Sequence, residues 1–337
     1  MTRDEGASPQ ERESIETGRR PLIVFFGSLV ALSSGFVVVA QLTAVSMIAL
    51  APAYMFTPMI AGIVTCIVGS PSFEAAGLRF PHGRLRWLGI AAAAPIVLVL
   101  IGTGVALLVP GVEFVPDANP LTGEGTEFAQ TDEPAGPSLP GWPFNLLVTI
   151  GVALGIGATI NAVFAFGEEF GWRGVLLTIL APLGFWKASA VIGLFWGVWH
   201  APIILEGYNF PNNPVLGVGV MTVACIAMSP VYTYVTVAAK SVLAPAIFHG
   251  TFNAFAAVTI VFAQGGSELV VNAVGGIGIL VFGLASILIA VGGPPRLATD
   301  WALQEGIDGD GDGDTRTDTN TDTDSSPEGL EDSSTND

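Results

Sequence analysis

The stretch FNLLVTIGVALGIGATINAVFAFGEEFGWRG, residues 144–174, sets a long apolar run directly before two adjacent carboxylates, Glu168 and Glu169, and an arginine, Arg173. The run over 144–167 is long enough to cross a membrane as a helix, which takes about 20 residues. A charged side chain near the bilayer centre costs roughly 2.5–3.5 kcal/mol on insertion scales, so charges there usually serve a function. The stretch therefore predicts a membrane helix that ends in a charged cluster.

Composition extends this interpretation to the whole chain. Hydrophobic residues make up 51% of the 337 positions, only 12% are charged, and mean hydropathy is +0.62. A soluble domain carries about 25% charged residues, so a soluble enzyme is excluded. Eight apolar segments are evident: 22–42, 44–69, 87–110, 144–167, 188–205, 214–238, 242–264 and 270–293. We expect an all-α, polytopic membrane helix bundle of about eight transmembrane helices, surrounded by lipid and without a nucleic-acid partner. The piece at 175–185 is too short to cross and is expected to continue the fourth helix or to lie at the interface.

The basic residues between the apolar segments predict an orientation. If all eight segments cross, every arginine and lysine of the connecting segments falls on one side of the membrane: Arg19, Arg20, Arg79, Arg84, Arg86, Lys187, Lys240 and Arg296. Basic loops face the cytoplasm. Both termini are therefore expected in the cytoplasm, and the protein in the cell membrane.

Five regions follow from these segments. They are a polar cytoplasmic tail (1–21), three N-terminal transmembrane helices (22–110), an acidic non-cytoplasmic loop (111–143), a membrane core with the last helix (144–296), and a disordered acidic cytoplasmic tail (297–337). In the last region, Asp308, Asp310, Asp312 and Gly313 mimic the start of a calcium-binding loop. The twelfth position is Thr319, which cannot supply the bidentate carboxylate that calcium needs, so we expect a solvated tail.

Charge and cysteine usage add two further expectations. The net charge is −17 with only two lysines, Lys187 and Lys240. An acidic excess is tolerated where salt screens it, which suggests a halophilic archaeon as the source. The cysteines Cys66 and Cys225 each lie in an apolar segment and form no disulfide or zinc motif.

Polar residues inside the membrane form three helix faces. Glu169 and Arg173 are four residues apart and can pair along a helix, while Glu168 points about 100° away and is free for another task. Two later segments repeat the four-residue spacing, Trp196 with His200 and His249 with Asn253. Such faces avoid lipid and are expected to meet one another or water.

The chemistry of this set suits the attack of water on a peptide carbonyl. A carboxylate in a water-poor cavity can act as a general base, and a neighbouring histidine can hold the attacking water. His249 and Asn253 offer hydrogen-bond donors for a developing oxyanion.

The motifs EEFGWR (168–173), WGVWH (196–200) and HGTFN (249–253) resemble those of the CAAX-protease and bacteriocin-processing family of intramembrane proteases. That family carries EExxxR, FxxxH and HxxxN in this order, and the resemblance covers about 145–264. It implies that Glu168 activates water with His200, that His249 and Asn253 form the oxyanion site, and that Glu169 and Arg173 support them. Trp196 stands where the family has Phe, and Phe195 is beside it. We expect this exchange to affect substrate fit more than chemistry.

Metal dependence stays open from the sequence. The family is often labelled metalloprotease, but HExxH is absent, and a catalytic zinc usually has three protein ligands. Glu168, His200 and His249 could supply three if their helices converge. The cofactor is therefore none or a divalent metal such as zinc, and we favour a glutamate-dependent mechanism without metal.

The resulting hypothesis is an intramembrane endopeptidase whose cavity opens to the cytoplasmic side. Its substrate would be a membrane-associated protein or peptide, with lipidation left open. One alternative is a proton-coupled transporter, because a Glu/His/Arg cluster can relay protons, although no inverted repeat is evident. The other is a catalytically silent family member acting in scaffolding or bacteriocin immunity.

Overall fold

A computed structural model describes residues 9–119 and 141–304, with side chains from Arg19 onward. Most of the predicted acidic loop and tail, including Asp308 to Thr319, lies outside the described residues. The predicted polar tail 1–21 is described only from Pro9, where the first helix begins.

The described residues form an all-α membrane bundle, as predicted. Its helices are α1 (Pro9–Thr43), α2 (Met47–Tyr54), α3 (Thr57–Val68), α4 (Arg86–Ala106), α5 (Phe144–Val152), α6 (Ala162–Glu169), α7 (Leu177–Leu180), α8 (Phe185–Trp199), α9 (Ala201–Ile204), α10 (Pro214–Ala239), α11 (Leu243–Phe255), α12 (Ala257–Phe262), α13 (Glu268–Val271) and α14 (Gly276–Gly292). Two π-helical segments, Ala153–Asn161 and Phe170–Leu176, and a 3₁₀ turn, Ala181–Leu183, lie among them. The strands β1 (Val112–Phe114) and β2 (Ala263–Gly265) pair antiparallel, a small element that the sequence did not indicate.

Seven helical runs among the described residues are long and apolar enough to cross a membrane. The segment predicted at 188–205 is the exception, because it folds as the 15-residue α8 and the short α9. At ~1.5 Å per residue α8 is about 22 Å long, less than the ~30 Å of a bilayer core. The run is broken at His200, two residues before Pro202, which lacks an N–H to continue the helical hydrogen bonds.

The stretch that opened the sequence analysis lies in one continuous helical run of 40 residues, Phe144–Leu183. The piece 175–185 continues this helix as far as Leu183. One of the π-helical segments begins at Phe170, directly after the two glutamates. Wider π turns in an α-helix are frequent at functional sites, because they redirect side chains that the α spacing would place elsewhere.

The connecting segments gather at two ends of the bundle. At one, which we call the basic end, the Arg79 side chain donates to the Ala302 carbonyl, that of Arg84 donates to Ala238, and Ser241 Oγ donates to the Arg79 carbonyl. At the other, the acidic end, β1 pairs with β2, and Asn145 donates to the Pro116 and Ala118 carbonyls. The segments around Arg79, Arg84 and Ser241 therefore meet at one end of the bundle, while the predicted orientation in the membrane stays a prediction.

Small residues let the site helices approach closely. A Cβ on Gly197 of α8 would lie 2.4 Å from the Thr222 Cα of α10, and a Cβ on Gly193 would lie 2.6 Å from the Cys225 carbonyl oxygen. A Cβ on Gly250 of α11 would meet the Ala162 backbone nitrogen at 2.4 Å. Since membrane helices gain little from hydrophobic attraction to each other, close contact at small residues stabilises the bundle and sets where its polar side chains meet.

Candidate active site

The three predicted motifs meet in the middle of the bundle. Glu169 and Arg173 are 0% exposed, Glu168 is 2% exposed and His249 is 4% exposed. They lie on the long helical run and on α11, which pack against each other.

Glu169 is the centre of a closed ion-pair group. Arg173 Nη1 donates to Glu169 Oε1 at 3.1 Å, four residues along the helix as predicted. The same oxygen lies 2.8 Å from Nδ1 of His249. Because the carboxylate accepts, Nδ1 of His249 donates and the ring presents Nε2 to its other side. Glu169 thus fixes the orientation of His249.

The guanidinium of Arg173 is held between two aromatic rings. Its Cζ lies 4.2 Å from the ring centre of Trp196 and 4.6 Å from that of Tyr232. Arg173 Nε and Nη2 have no hydrogen-bond partner among the described residues, so the two π faces supply the remaining stabilisation of the cation. The sequence analysis missed Tyr232, since a buried tyrosine in an apolar helix carries no motif signal.

Glu168 has a different partner from its neighbour. Trp196 Nε1 donates to Glu168 Oε2 at 2.7 Å. A phenylalanine, which the family pattern has at this position, lacks that donor. The expectation that Trp196 affects substrate fit more than chemistry stays a prediction, although its indole contacts the predicted base.

His200 lies at the break after α8, and its tautomer is set by the backbone. Its Nδ1 lies 2.7 Å from the carbonyl oxygen of Trp196, which can only accept, so Nδ1 carries the proton. Nε2 then has a free lone pair. The end of α8 is fixed by Tyr54, whose hydroxyl donates to the Trp199 carbonyl and whose ring stacks on Trp199 at 4.4 Å.

One cavity of about 80 Å³ connects these groups. A site of ~10–15 Å³ holds one water, so this cavity has room for several. Its polar lining includes Glu168, His200, His249 and Asn253, the four predicted catalytic residues. Apolar and sulfur-bearing side chains complete it, among them Met55, Ile203, Met221, Cys225, Met228 and Phe252.

The cavity reaches the loop between α9 and α10 at the acidic end. Its exposed lining residues are Tyr208, in that loop, and Asn253 of α11. Arg173, Tyr232 and Phe248 are fully buried and do not line the cavity, and the Tyr232 ring packs against Trp196 and His249 of the lining. The expectation that the cavity opens to the cytoplasmic side stays a prediction.

The predicted metal ligands do not form a metal site. The described residues hold no group of three or more His, Cys, Asp or Glu side chains that could bind an ion. His200 and His249 each use Nδ1 in a hydrogen bond, and Glu168 uses one oxygen on Trp196. Such bonds are also made by histidines that bind zinc, so they do not exclude a metal, but in the described residues the three side chains are not close enough together to count as a metal-binding group.

Residues 145–255 match the model of the family described as Type II CAAX prenyl endopeptidase Rce1-like. The match covers about a third of the chain and contains all three motifs. The chain has no match among curated proteins.

Proposed function

We propose that this integral membrane protein, whose residues 145–255 match the model of the Rce1-like family of CAAX-type proteases, hydrolyses a peptide bond of a membrane-associated protein or peptide. The observation that carries the proposal is the shared cavity, in which a buried carboxylate, two histidines and an asparagine face the same small volume. Whether the substrate is lipidated is left to the assay below.

The proposed reaction uses this chain's own groups. A water held between Glu168 and His200 Nε2 attacks the scissile carbonyl carbon while Glu168 accepts its proton. The carbonyl oxygen becomes an oxyanion, and His249 Nε2 and the Asn253 amide donate to it. Glu168 then returns the proton to the leaving nitrogen, the C–N bond breaks, and a carboxylic acid and an amine leave. A positioned acid–base group raises the rate of such reactions about 10²–10⁴-fold. An oxyanion donor raises it about 10²–10³-fold.

His249 can donate from Nε2 only when both of its ring nitrogens carry a proton. Nδ1 already donates to Glu169, whose negative charge stabilises the imidazolium. Arg173 balances the same carboxylate from the other side. Glu169 and Arg173 therefore support the oxyanion site without touching the substrate.

A transporter would need a polar route through the bundle. Arg173, Tyr232 and Phe248 are fully buried and do not line the cavity, so the cavity does not continue through them. This favours hydrolysis over proton relay. Intact Glu168, His200, His249 and Asn253 argue against a silent scaffold.

The test is peptide cleavage by detergent-purified protein at high salt, on prenylated peptides and their unprenylated counterparts. Wild type is compared with Glu168→Ala and His249→Ala, with and without a strong chelator, and gel filtration checks that the variants fold. We expect wild-type cleavage that both substitutions abolish and that the chelator leaves unchanged. Loss with chelator and recovery with zinc would instead establish metal dependence. No cleavage by wild type, on peptides that another family member cuts, would contradict the proposed function for these substrates.

A further inference from the structure

A second cavity, of about 270 Å³, lies at the acidic end of the bundle. It shares no lining residue with the catalytic cavity among the described parts of the chain. Helix α4, strand β1, the start of α5 and helix α12 enclose it with nine residues: Leu100, Thr103, Gly104, Leu107, Phe114, Trp142, Leu146, Val258 and Phe262. Of these, Leu146 alone lies within the residues that match the family model, so the cavity is built mainly by parts of the chain outside that match.

The lining of this second cavity is apolar and aromatic. The ring centres of Phe114 and Trp142 lie 5.2 Å apart, and those of Trp142 and Phe262 lie 6.0 Å apart. The Thr103 hydroxyl donates to a backbone carbonyl of its own helix and lies 3.0 Å from Thr259 Oγ1, so the protein itself satisfies it. Water in a cavity needs roughly two to four polar partners, whereas an apolar cavity of about 150 Å³ already binds benzene. This lining therefore favours an apolar occupant.

Part of the lining lies on the lipid-facing side of α4. Val97, Ile101 and Gly104 share one face of this helix, and all three are exposed. Because α4 is long and apolar enough to cross a membrane, its exposed apolar face lies against lipid. Trp142, which is 47% exposed, stands just before α5 begins, a position typical of tryptophan at the membrane–water interface. The molecules beside Gly104 are therefore the hydrocarbon chains of the bilayer.

We propose that the second cavity binds the hydrocarbon chain of a bilayer lipid. The chain enters between α4 and α12, and the headgroup stays at the interface beside Trp142. Val258 and Phe262 belong to the same apolar run as His249 and Asn253, Leu243–Phe262, so the bound chain packs against the end of a helix that carries the candidate active site. A ligand that binds only the folded protein stabilises it by mass action. The proposal does not depend on the proposed function.

Photocrosslinking locates the chain. The full-length protein is reconstituted in phosphatidylglycerol vesicles that contain a phospholipid with a photoreactive diazirine in its acyl chain, and mass spectrometry identifies the labelled residues. Val258 and Phe262 are each only 1% exposed, so a chain inside the cavity can label them and a lipid on the outer surface of the bundle cannot. We expect label on both residues. Label confined to exposed residues such as Ile101 would overturn the proposal.

A cavity-filling variant gives the matched test. Gly104 lines the cavity, and a Cβ there would meet no atom within 4 Å, so Gly104→Phe has room to fill it. Gly89→Phe, on the same helix and equally open but outside the lining, is the control. We expect Gly104→Phe to lose the label on Val258 and Phe262, and the control to keep it. Gly104→Leu takes the place of Gly104→Phe should gel filtration show misfolding. Undiminished label in a folded Gly104 variant would overturn the proposal.

Thermal unfolding of delipidated protein in detergent identifies the source of the chain. Phosphatidylglycerol should raise the melting temperature of wild type and of Gly89→Phe, but not that of Gly104→Phe. An equal rise in all three proteins would place the lipid elsewhere and overturn the proposal. Stabilisation by a lipidated peptide, without any effect of the phospholipid, would assign the cavity to the lipid anchor of a substrate and would equally overturn it.

Discussion

Glu168 and Glu169 are neighbours in the chain, but they face two different regions of the molecule. Glu169 lies in a closed region, bonded to Arg173 and His249 and surrounded by the rings that hold the guanidinium. Glu168 faces the cavity, with one bond from Trp196 and water-sized space beside it. Adjacent carboxylates on a helix point about 100° apart, so one helix can serve a structural and a chemical region at once. Charge inside a membrane protein is therefore not by itself evidence of catalysis.

The largest effect is expected from Glu168→Gln. The amide keeps the shape and can accept from Trp196, but it cannot take a proton from water. General acid–base groups contribute about 10²–10⁴-fold, so cleavage should fall by that factor with an unchanged melting temperature. Cleavage kinetics and thermal unfolding in detergent measure both, with the exposed Glu74→Gln as control. Activity within tenfold of wild type would remove Glu168 from the role of base.

Glu169→Ala should chiefly lower stability. It leaves the Arg173 charge buried without its carboxylate, and breaking a buried pair in this way costs about 3–5 kcal/mol. The matched variant combines Glu169→Ala with Arg173→Met and should recover a large part of that loss, but not activity, because His249 stays unsupported. Denaturant unfolding in detergent is the measurement, and an unchanged midpoint for Glu169→Ala would contradict the closed ion-pair group.

Trp196→Phe tests the hydrogen bond that Trp196 Nε1 donates to Glu168. An aromatic ring over Arg173 is kept, while the Nε1 donor and part of the indole's volume are lost, and the control below loses the same volume at an exposed position. Hydrogen bonds to charged groups contribute about 1.5–3 kcal/mol, so kcat should fall roughly tenfold or more with little change in KM. Trp186→Phe, on an exposed position of the same helix, is the control. Equal kinetics in the two variants would show that the bond does not position Glu168.

Gly197→Ala should separate the helices that frame the cavity. The added methyl would lie 2.4 Å from the Thr222 Cα, and overpacking of this kind costs about 1–3 kcal/mol. Gly219→Ala on α10, which has open space around it, should be neutral. Thermal stability in detergent distinguishes the two, and equal melting temperatures would argue against the close contact of α8 and α10.

The smallest effect is expected at Tyr232. Tyr232→Leu removes a ring from the Arg173 cation, which is worth about 0.5–2 kcal/mol, whereas Tyr232→Phe keeps it. The tyrosine hydroxyl has no hydrogen-bond partner among the described residues, so Phe should be as stable as wild type or slightly more stable. A loss in Phe equal to that in Leu would assign the effect to the hydroxyl instead of the ring.

The spacing of residues within one helix explains the contacts that the motifs predicted and the structure contains. Glu169 with Arg173 is a contact within one helix, and four-residue spacing brings such side chains together in any surroundings. The same spacing put His249 and Asn253 on one face, and both line the cavity. The length of the apolar segments predicted the membrane bundle. It also predicted a transmembrane helix at 188–205, but the break at His200 and Pro202 leaves a helix that is too short to cross.

Four features could be predicted from the sequence alone, because each depends on composition or on neighbours within one helix: the membrane environment, the all-α class, the three motifs and the pairing of Glu169 with Arg173. Three other features follow from tertiary contacts: Trp196 donates to Glu168, Tyr232 covers Arg173, and the cavity reaches the loop between α9 and α10. These three depend on how α8, α10 and α11 cross, and small residues such as Gly193, Gly197 and Gly250 set that crossing through contacts between distant parts of the chain.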